Sequence, residues 1–394
     1  MGMAMEEVPT RIEPCLFDEG LPNELSEAAS QVVERAALLG VGLHPDTISA
    51  LASLTRIVNA YYSNLIEGHT PQFADLMSTL VNPDNCCSSL ALETMAHIAT
   101  QRDLDGIDLT AMPVATSAEF ISSIHRGLYE RMPAEFCATG SPEGSVSQIV
   151  AGEFRKEGSH EVVVGRHQPP SSARVAAFMA HFEKRYGSVR KIGGHGIATI
   201  AAAHHRLNYI HPFPDGNGRV SRLLSHVMAR QFGIDGKGLW AISRGLALGL
   251  QDHTEYKRMM DYADHPRMGD RDGRGNLSLR ALKDFCAWFM RTMLRQIDFS
   301  LEIFDTDALE KRYKYLAASV VRNGDLVVSN ILHGGMLDVS VIAGRCGIAV
   351  GEAREIVGML SCAGIVKLDE RSGRFSLGTP IGTHEALFPG LLPS

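Results

Sequence analysis

Apolar residues along most of the chain recur at helical spacing. Ile48, Leu51, Thr55, Val58, Tyr62 and Leu65 step by three and four, which predicts a helix over 48–67 that Gly68 and Pro71 stop. A second stretch, 194–209, presents Ile197, Ile200, Ala201, His204 and Leu207 on one face. Pro212-Phe213-Pro214 ends it, because each proline lacks an N–H and restricts its neighbour. A third begins near Asn217, carries Val220, Leu223, Leu224, Val227 and Met228, and closes at Gly233. Two segments depart from this pattern: Glu161-Val162-Val163-Val164-Gly165 is β-prone and predicts an extended loop or hairpin, and 266–276 has turn composition. Beyond residue 318, short helices near 326–334, 338–345 and 349–361 precede two strand-like runs, Ile365–Leu368 and Arg374–Leu377. That is the order of a winged helix-turn-helix. The expected class is mainly α, in two or three domains given 394 residues.

Composition narrows the class. At 45% hydrophobic and 21% charged the chain is globular, and it has no apolar run of membrane-spanning length. The acidic start, Met5-Glu6-Glu7, lacks the basic and apolar regions of a signal peptide, so the expected location is cytoplasmic. Seven cysteines without a Cys-x-x-Cys pair predict reduced thiols rather than a disulfide framework.

The net charge of −7 is unevenly spread. Residues 1–100 hold 13 acids and 3 bases, whereas residues 183–230 hold 2 acids, 8 bases and five histidines. Long nucleic acids, which need clustered Lys and Arg, are disfavoured as partners. A single polyphosphate at the basic segment is not.

That segment contains His211-Pro-Phe-Pro-Asp215-Gly216-Asn217-Gly218-Arg219-Val-Ser-Arg222. Gly216 and Gly218 let a backbone turn tightly and approach a ligand, and the helix that starts there points N–H groups at anions. Arg219 and Arg222 lie on one helix face, where guanidinium forks can grip phosphates. Asp215 supplies one carboxylate, enough for a Mg²⁺ completed by phosphates. His211, with an ordinary pKa of ~6.5, suits a general base.

The twelve residues resemble the signature of the Fic family, His-x-Phe-x-[Asp/Glu]-Gly-Asn-Gly-Arg-x-x-Arg, at every fixed position. The resemblance, which covers about 45–300, implies a helical bundle with a short β-hairpin flap at the catalytic core, 101–300, and transfer of AMP from ATP to a Ser, Thr or Tyr hydroxyl of a protein, self-modification included. It implies that His211 is the base, that Asp215 positions Mg²⁺, that Gly216, Asn217 and Gly218 cradle phosphates, and that Arg219 and Arg222 hold the β- and γ-phosphates. Gly218, where a kinase-like branch has lysine, favours AMP transfer. Val162, Val163 and Val164 fall where the family's flap docks a target by strand addition.

Ser63-Asn64-Leu65-Ile66-Glu67-Gly68 matches the family's inhibitory motif, here in the N-terminal region, 1–100. A carboxylate at a helix C-terminus opposes the dipole, and local rules are often broken at functional sites. The resemblance implies that Glu67 pairs with Arg222 and blocks the γ-phosphate position. Ser63, one turn earlier, is positioned to brace the Glu67 carboxylate. His69 is a departure, since asparagine commonly follows Glu-Gly. Removal of AMP, with Glu67 aligning water, is an alternative activity. A nucleotide-sensing DNA regulator is another, but residues 338–378 of the 318–380 module balance five bases against five acids, which favours protein docking or a homodimer.

Overall fold

The computed structural model describes residues 8–14, 20–82, 88–140, 146–159, 161–163, 165–188, 194–273, 275–380 and 383–393. Val164 of the expected flap lies outside the described residues. The helices are α1 (Asn23–Leu38), α2 (Pro45–Glu67), α3 (Phe73–Val81), α4 (Ser89–Asp105), α5 (Ala118–Tyr129), α6 (Val175–Tyr186), α7 (Gly194–Ile210), α8 (Asn217–Gln231), α9 (Ile242–Leu248), α10 (Glu255–Ala263), α11 (Leu279–Ile303), α12 (Thr306–Val320), α13 (Gly324–Gly334), α14 (Val339–Cys346), α15 (Val350–Cys362) and α16 (His384–Leu387). Two antiparallel pairs accompany them, β1 (Ala138–Gly140) with β2 (Val146–Gln148) and β3 (Val366–Asp369) with β4 (Arg374–Leu377). The mainly helical class expected from the apolar spacing is the class observed.

The chain packs into two compact units, one of residues 1–34, 59–235 and 242–296, the other of 35–58, 236–241 and 297–394. In the first, α7 and α8 lie against each other and form the centre. Every residue of α7 from Gly196 to Ile210 except Asn208 is buried, and α8 is buried from Arg219 to Ala229. Helices covered all round read as core rather than as surface amphipaths. Around them, α5 opens on Ser117, whose hydroxyl accepts from the Phe120 N–H. α4 opens likewise on Ser88, which accepts from Ala91.

α4 has an unusual interior. Its buried residues include Glu93, Thr94, His97, Thr100 and Gln101. Asn59 of α2 donates to Gln101 Oε1 at 2.8 Å, and Asn64 of α2 donates to Thr94 Oγ1 at 3.0 Å. Buried polar groups are tolerated where they find partners, and here the partners are each other.

Within the second unit, α13, α14 and α15 precede the β3–β4 pair, in register from Val366↔Leu377 to Asp369↔Arg374. Leu337 exchanges backbone hydrogen bonds with Phe375 at 2.7 and 3.0 Å, adding a third short edge. Asp338 caps α14 by accepting from Ser340 and Val341, and Gly347 closes it at φ 67°. Thr47 of the first half of α2 donates to the Leu332 carbonyl at 2.9 Å.

Candidate active site

The loop between α7 and α8 is built by its own side chains. Asn217 accepts from the Phe213 N–H (2.9 Å) and donates to the Phe213 carbonyl (2.8 Å), which staples the turn. Phe213 is fully buried and stacks on His125 with ring centres 3.9 Å apart, and His125 stacks on Tyr129 at 4.3 Å. Gly216 sits at φ 78°, and a Cβ there would meet the Tyr129 ring at 2.6 Å. Only glycine takes both the left-handed turn and the close approach.

α8 therefore begins with open N–H groups. Its first backbone bond runs from Val220 to Gly216 (2.9 Å), so the amides of Asn217, Gly218 and Arg219 precede the ladder at the positive end of the dipole. Glu67 is seated over this end. Its Oε1 lies 2.5 Å from Nη2 of Arg222, whose side chain is 1% exposed. A Cβ on Gly218 would lie 3.3 Å from the Glu67 carboxyl carbon and 3.0 Å from Arg222 Nη1. Burial alone would raise the Glu67 carboxyl, but Arg222, with help from Arg219, pulls it below its ordinary value.

Ser63 differs from expectation. Its hydroxyl accepts from Arg222 Nε (2.9 Å) and its carbonyl from Nη2 (3.0 Å), so it braces the arginine rather than Glu67. The reason is geometric: the hydroxyl points into the core, where Arg222 is buried, while the carboxylate turns to the cleft.

Arg219 is engaged on both Nη groups. Nη1 pairs with the fully buried Glu93, while Nη2 donates to Asp215 Oδ2 (3.0 Å) and to the Tyr129 hydroxyl (3.2 Å). Tyr129 in turn donates to Asp215 Oδ2 at 2.7 Å. Burial would raise the Asp215 carboxyl, yet Arg219, Tyr129 and the Gly216 N–H together hold it below the usual range.

His211 stands at φ 49°, left-handed and uncommon for a side chain other than glycine. Arg155 holds it there: Nε donates to the His211 carbonyl (2.8 Å), Nη2 to those of Ile210 (3.2 Å) and Pro170 (3.0 Å), and the Arg155 amide to Pro212 (2.7 Å). Burial, reinforced by the nearby Arg155 and His167, lowers the His211 imidazole to about 4, although the Asn208 carbonyl and Asp215 oppose the shift. The ring is neutral at pH 7.

Four of these residues border a cleft of about 620 Å³, within the range of small-molecule sites. Glu67, Gly218, Arg222 and His211 line one side. Tyr256, Lys257 and Met260 of α10, and Gly165 to His167, also line it. His167 faces an acceptor on each ring nitrogen, Tyr209 O (2.9 Å) and Asp264 Oδ2 (3.0 Å).

With this geometry in place, residues 115–229 match the model of the Fic/DOC family. The chain carries a Fic domain. Proteins named protein adenylyltransferase Fic from Aedes aegypti and Drosophila melanogaster are each 41% identical to it over 90 residues, 23% of this chain and 17% and 18% of theirs. The chain thus spans less than a fifth of the length of these curated relatives. Among solved structures, a Fic family protein from Desulfovibrio desulfuricans aligns with a TM-score of 0.54 at 15% identity, over 93% of this chain and 98% of that one. Fic-1 from C. elegans aligns at 0.51 and 18%, over 72% and 73%. Both likenesses concern the fold.

The fold brings His211, Asp215, Gly216, Asn217, Gly218, Arg219 and Arg222 of the matched stretch together with Ser63 and Glu67, which precede it. Val162 and Val163 are in no strand, and Val163 is 66% exposed. Among the described residues of the first unit the antiparallel strand pair is β1–β2, 138–140 with 146–148. Glu161 accounts for the difference, since its carboxylate accepts from Ser172 N and Oγ (3.0 and 2.8 Å) and pulls the segment onto that turn. Glu93, Tyr129, His125 and Arg155 were missed by sequence reasoning; each is far from 211–222 along the chain.

Proposed function

We propose that the chain is a protein adenylyltransferase that moves AMP from ATP to a Ser, Thr or Tyr hydroxyl of a protein, itself included, and that Glu67 restrains it. The observation that carries this reading is the Glu67 carboxylate on Arg222, beside Gly218, at the open amide end of α8. A carboxylate there occupies the place a terminal phosphate would take.

The chemistry follows from the residues. The amides at the start of α8 would cradle phosphate oxygens, and Arg222, once released by Glu67, would take the γ-phosphate. Neutral His211 would accept the proton of the target hydroxyl, whose oxygen bonds to the α-phosphorus as the bond to pyrophosphate breaks. Its low pKa makes it a weaker base than an ordinary imidazole but keeps it unprotonated. Among the described residues no cluster of three or more His, Cys, Asp or Glu forms a metal cage. Asp215 nevertheless fits Mg²⁺: its side chain is 48% exposed, and one carboxylate suffices when phosphates and water complete the shell. Such an ion would neutralise charge on the phosphates. Arg219, tied to Glu93 and Asp215, would orient that carboxylate more than it grips phosphate.

A second reading draws on the same carboxylate. Kept ionised and one-third exposed beside the cleft, Glu67 is suited to orient a water for removal of AMP. Val162 and Val163 would guide the target segment.

Incubation with α-labelled ATP and Mg²⁺ tests both. Glu67→Gly should label itself well above wild type, and adding His211→Ala should abolish the label. Equal labelling of wild type and Glu67→Gly sinks the brake; label that survives His211→Ala sinks the base. Release of AMP by wild type from a labelled protein, lost in Glu67→Gly, favours removal.

A further inference from the structure

His69 follows the inhibitory helix by two residues, and the chain passes through it in a fixed geometry. Gly68, at φ 84°, donates its N–H to Leu65 O (3.1 Å), and the His69 N–H reaches Asn64 O (2.9 Å). These are the two bonds of a Schellman cap. Such caps are usually closed by an apolar contact between the third-last helical residue and the one after the glycine. Here those residues are Asn64 and His69, and both turn instead to α4. Asn64 donates to Thr94 Oγ1 at 3.0 Å, and His69 Nδ1 lies 3.1 Å from each oxygen of the adjacent Glu93. The His69 ring also rests against Phe136, with centroids 5.5 Å apart.

Glu93 is the informative partner. Its side chain is fully buried and holds Arg219 of α8, three residues before the Arg222 that holds Glu67. The links close a ring: Glu67 to Arg222, along α8 to Arg219, across to Glu93, out to His69, and back along two residues of backbone to Glu67. His69 is 39% exposed and Glu67 33%, whereas Glu93 is not exposed at all and Arg222 is 1% exposed, so the ring meets water at its two members on the end of α2.

We infer that His69 is a positioning residue for Glu67: its hydrogen bond to Glu93 fastens the helix end and so holds the Glu67 carboxylate over the nucleotide cleft. The inference rests on the reading of Glu67 as a brake. A buried carboxylate that loses a hydrogen-bond partner opposes the loss, so detachment of the helix end is disfavoured while His69 is in place. Asparagine at 69 keeps a donor of similar reach, because its amide nitrogen, like Nδ1, is bonded to Cγ.

Hydrogen exchange over residues 62–72 of the full chain without nucleotide reads the fastening directly. His69→Ala should exchange roughly fivefold faster than wild type and His69→Asn close to wild type. ATP titration by calorimetry on the same proteins reads the consequence. ATP should bind several-fold tighter to His69→Ala than to wild type, with no further gain when His69→Ala is added to Glu67→Gly. Unchanged exchange in His69→Ala, or weaker ATP binding when it is added to Glu67→Gly, overturns the inference; the latter would mean that His69 supports Arg219 instead. Faster exchange in His69→Ala, with ATP affinity indifferent to Glu67→Gly, leaves the fastening standing and sinks the brake.

Discussion

Replacing Glu67 by alanine should destabilise the free protein and make ATP repair the damage. Arg222 is 1% exposed, and its other partners, the hydroxyl and carbonyl of Ser63 and the Tyr256 hydroxyl, are neutral oxygens. Among the described residues Glu67 is its paired carboxylate. Truncating one partner of a buried pair costs about 3–5 kcal/mol because a charge is left uncompensated. Glu67 is one-third exposed, so water reaches the vacated place, and about 2 kcal/mol is the better figure. At about 2–4 °C per kcal/mol for chains of a few hundred residues, the melting temperature should fall by roughly 4–8 °C. A terminal phosphate in the same place would restore the compensation. If its affinity rises by the factor that 2 kcal/mol represents, roughly 30-fold, saturating ATP should stabilise the variant by about 2 kcal/mol more than wild type. Differential scanning fluorimetry with and without ATP·Mg²⁺, using alanine so that the last turn stays helical, measures both quantities. Equal melting temperatures of the two free proteins, together with equal ATP shifts, would refute the reasoning.

Three further outcomes are expected. Gly216→Ala should lose about 2 kcal/mol or more in urea unfolding, since a left-handed alanine costs roughly 1–2 kcal/mol and its Cβ meets Tyr129 at 2.6 Å; a loss below half of that would show the turn to be more pliable. Tyr129→Phe removes a hydrogen bond to the Asp215 carboxylate, whose depressed pKa contributes stability above its unfolded value of ~3.8 that is lost as pH falls through the folded value. The deficit, about 1–2 kcal/mol, should thus be largest at pH 7 and shrink as Asp215 is protonated in both proteins, leaving only what the lost hydrogen bond from Arg219 contributes. Burial is the leading cause that pushes His97, His125 and His204 down to about 3 and His205 and His211 to about 4, so the unfolded chain takes up protons first. Stability should be complete above pH ~6.5 and fall steadily as pH drops towards 4; a melting temperature flat between pH 6.5 and 5 would contradict those environments.

Much of this architecture is written locally. The three-and-four spacing from Ile48 to Leu65 marks α2, the proline run after Ile210 marks the break before α8, and the glycines of 211–222 mark a turn that only they can make. What is not local is the support behind the motif. Glu93 meets Arg219 across 126 residues, and Arg155 meets the His211 carbonyl across 56. α4 alternates small, polar and apolar residues with no clear face, so a carboxylate in its second turn reads as solvated until the fold buries it. Ser63 was legible as a residue on the inhibitory face but not as a brace for Arg222, because i, i+4 spacing says which neighbours a hydroxyl can reach on its own helix and nothing about an arginine 159 residues away. The valines at 162 and 163 left loop and hairpin open, and they lie in no strand because the Glu161 carboxylate is bound by Ser172, eleven residues on, which composition does not show.

The polar interior of α4 also bears on how the end of α2 comes loose. What the last turn turns towards its surroundings is mostly amide, hydroxyl and carboxylate: Asn64 on Thr94, Glu67 on Arg222, with Leu65 already 37% exposed. Detaching such a turn uncovers little apolar surface, so it should carry a small heat-capacity change and a denaturant slope near zero. The opening of the α2 end would then follow a straight van 't Hoff line, with no turnover on cooling, and would rise hardly at all in mild urea. Added salt, which weakens its ion pairs, would loosen it instead.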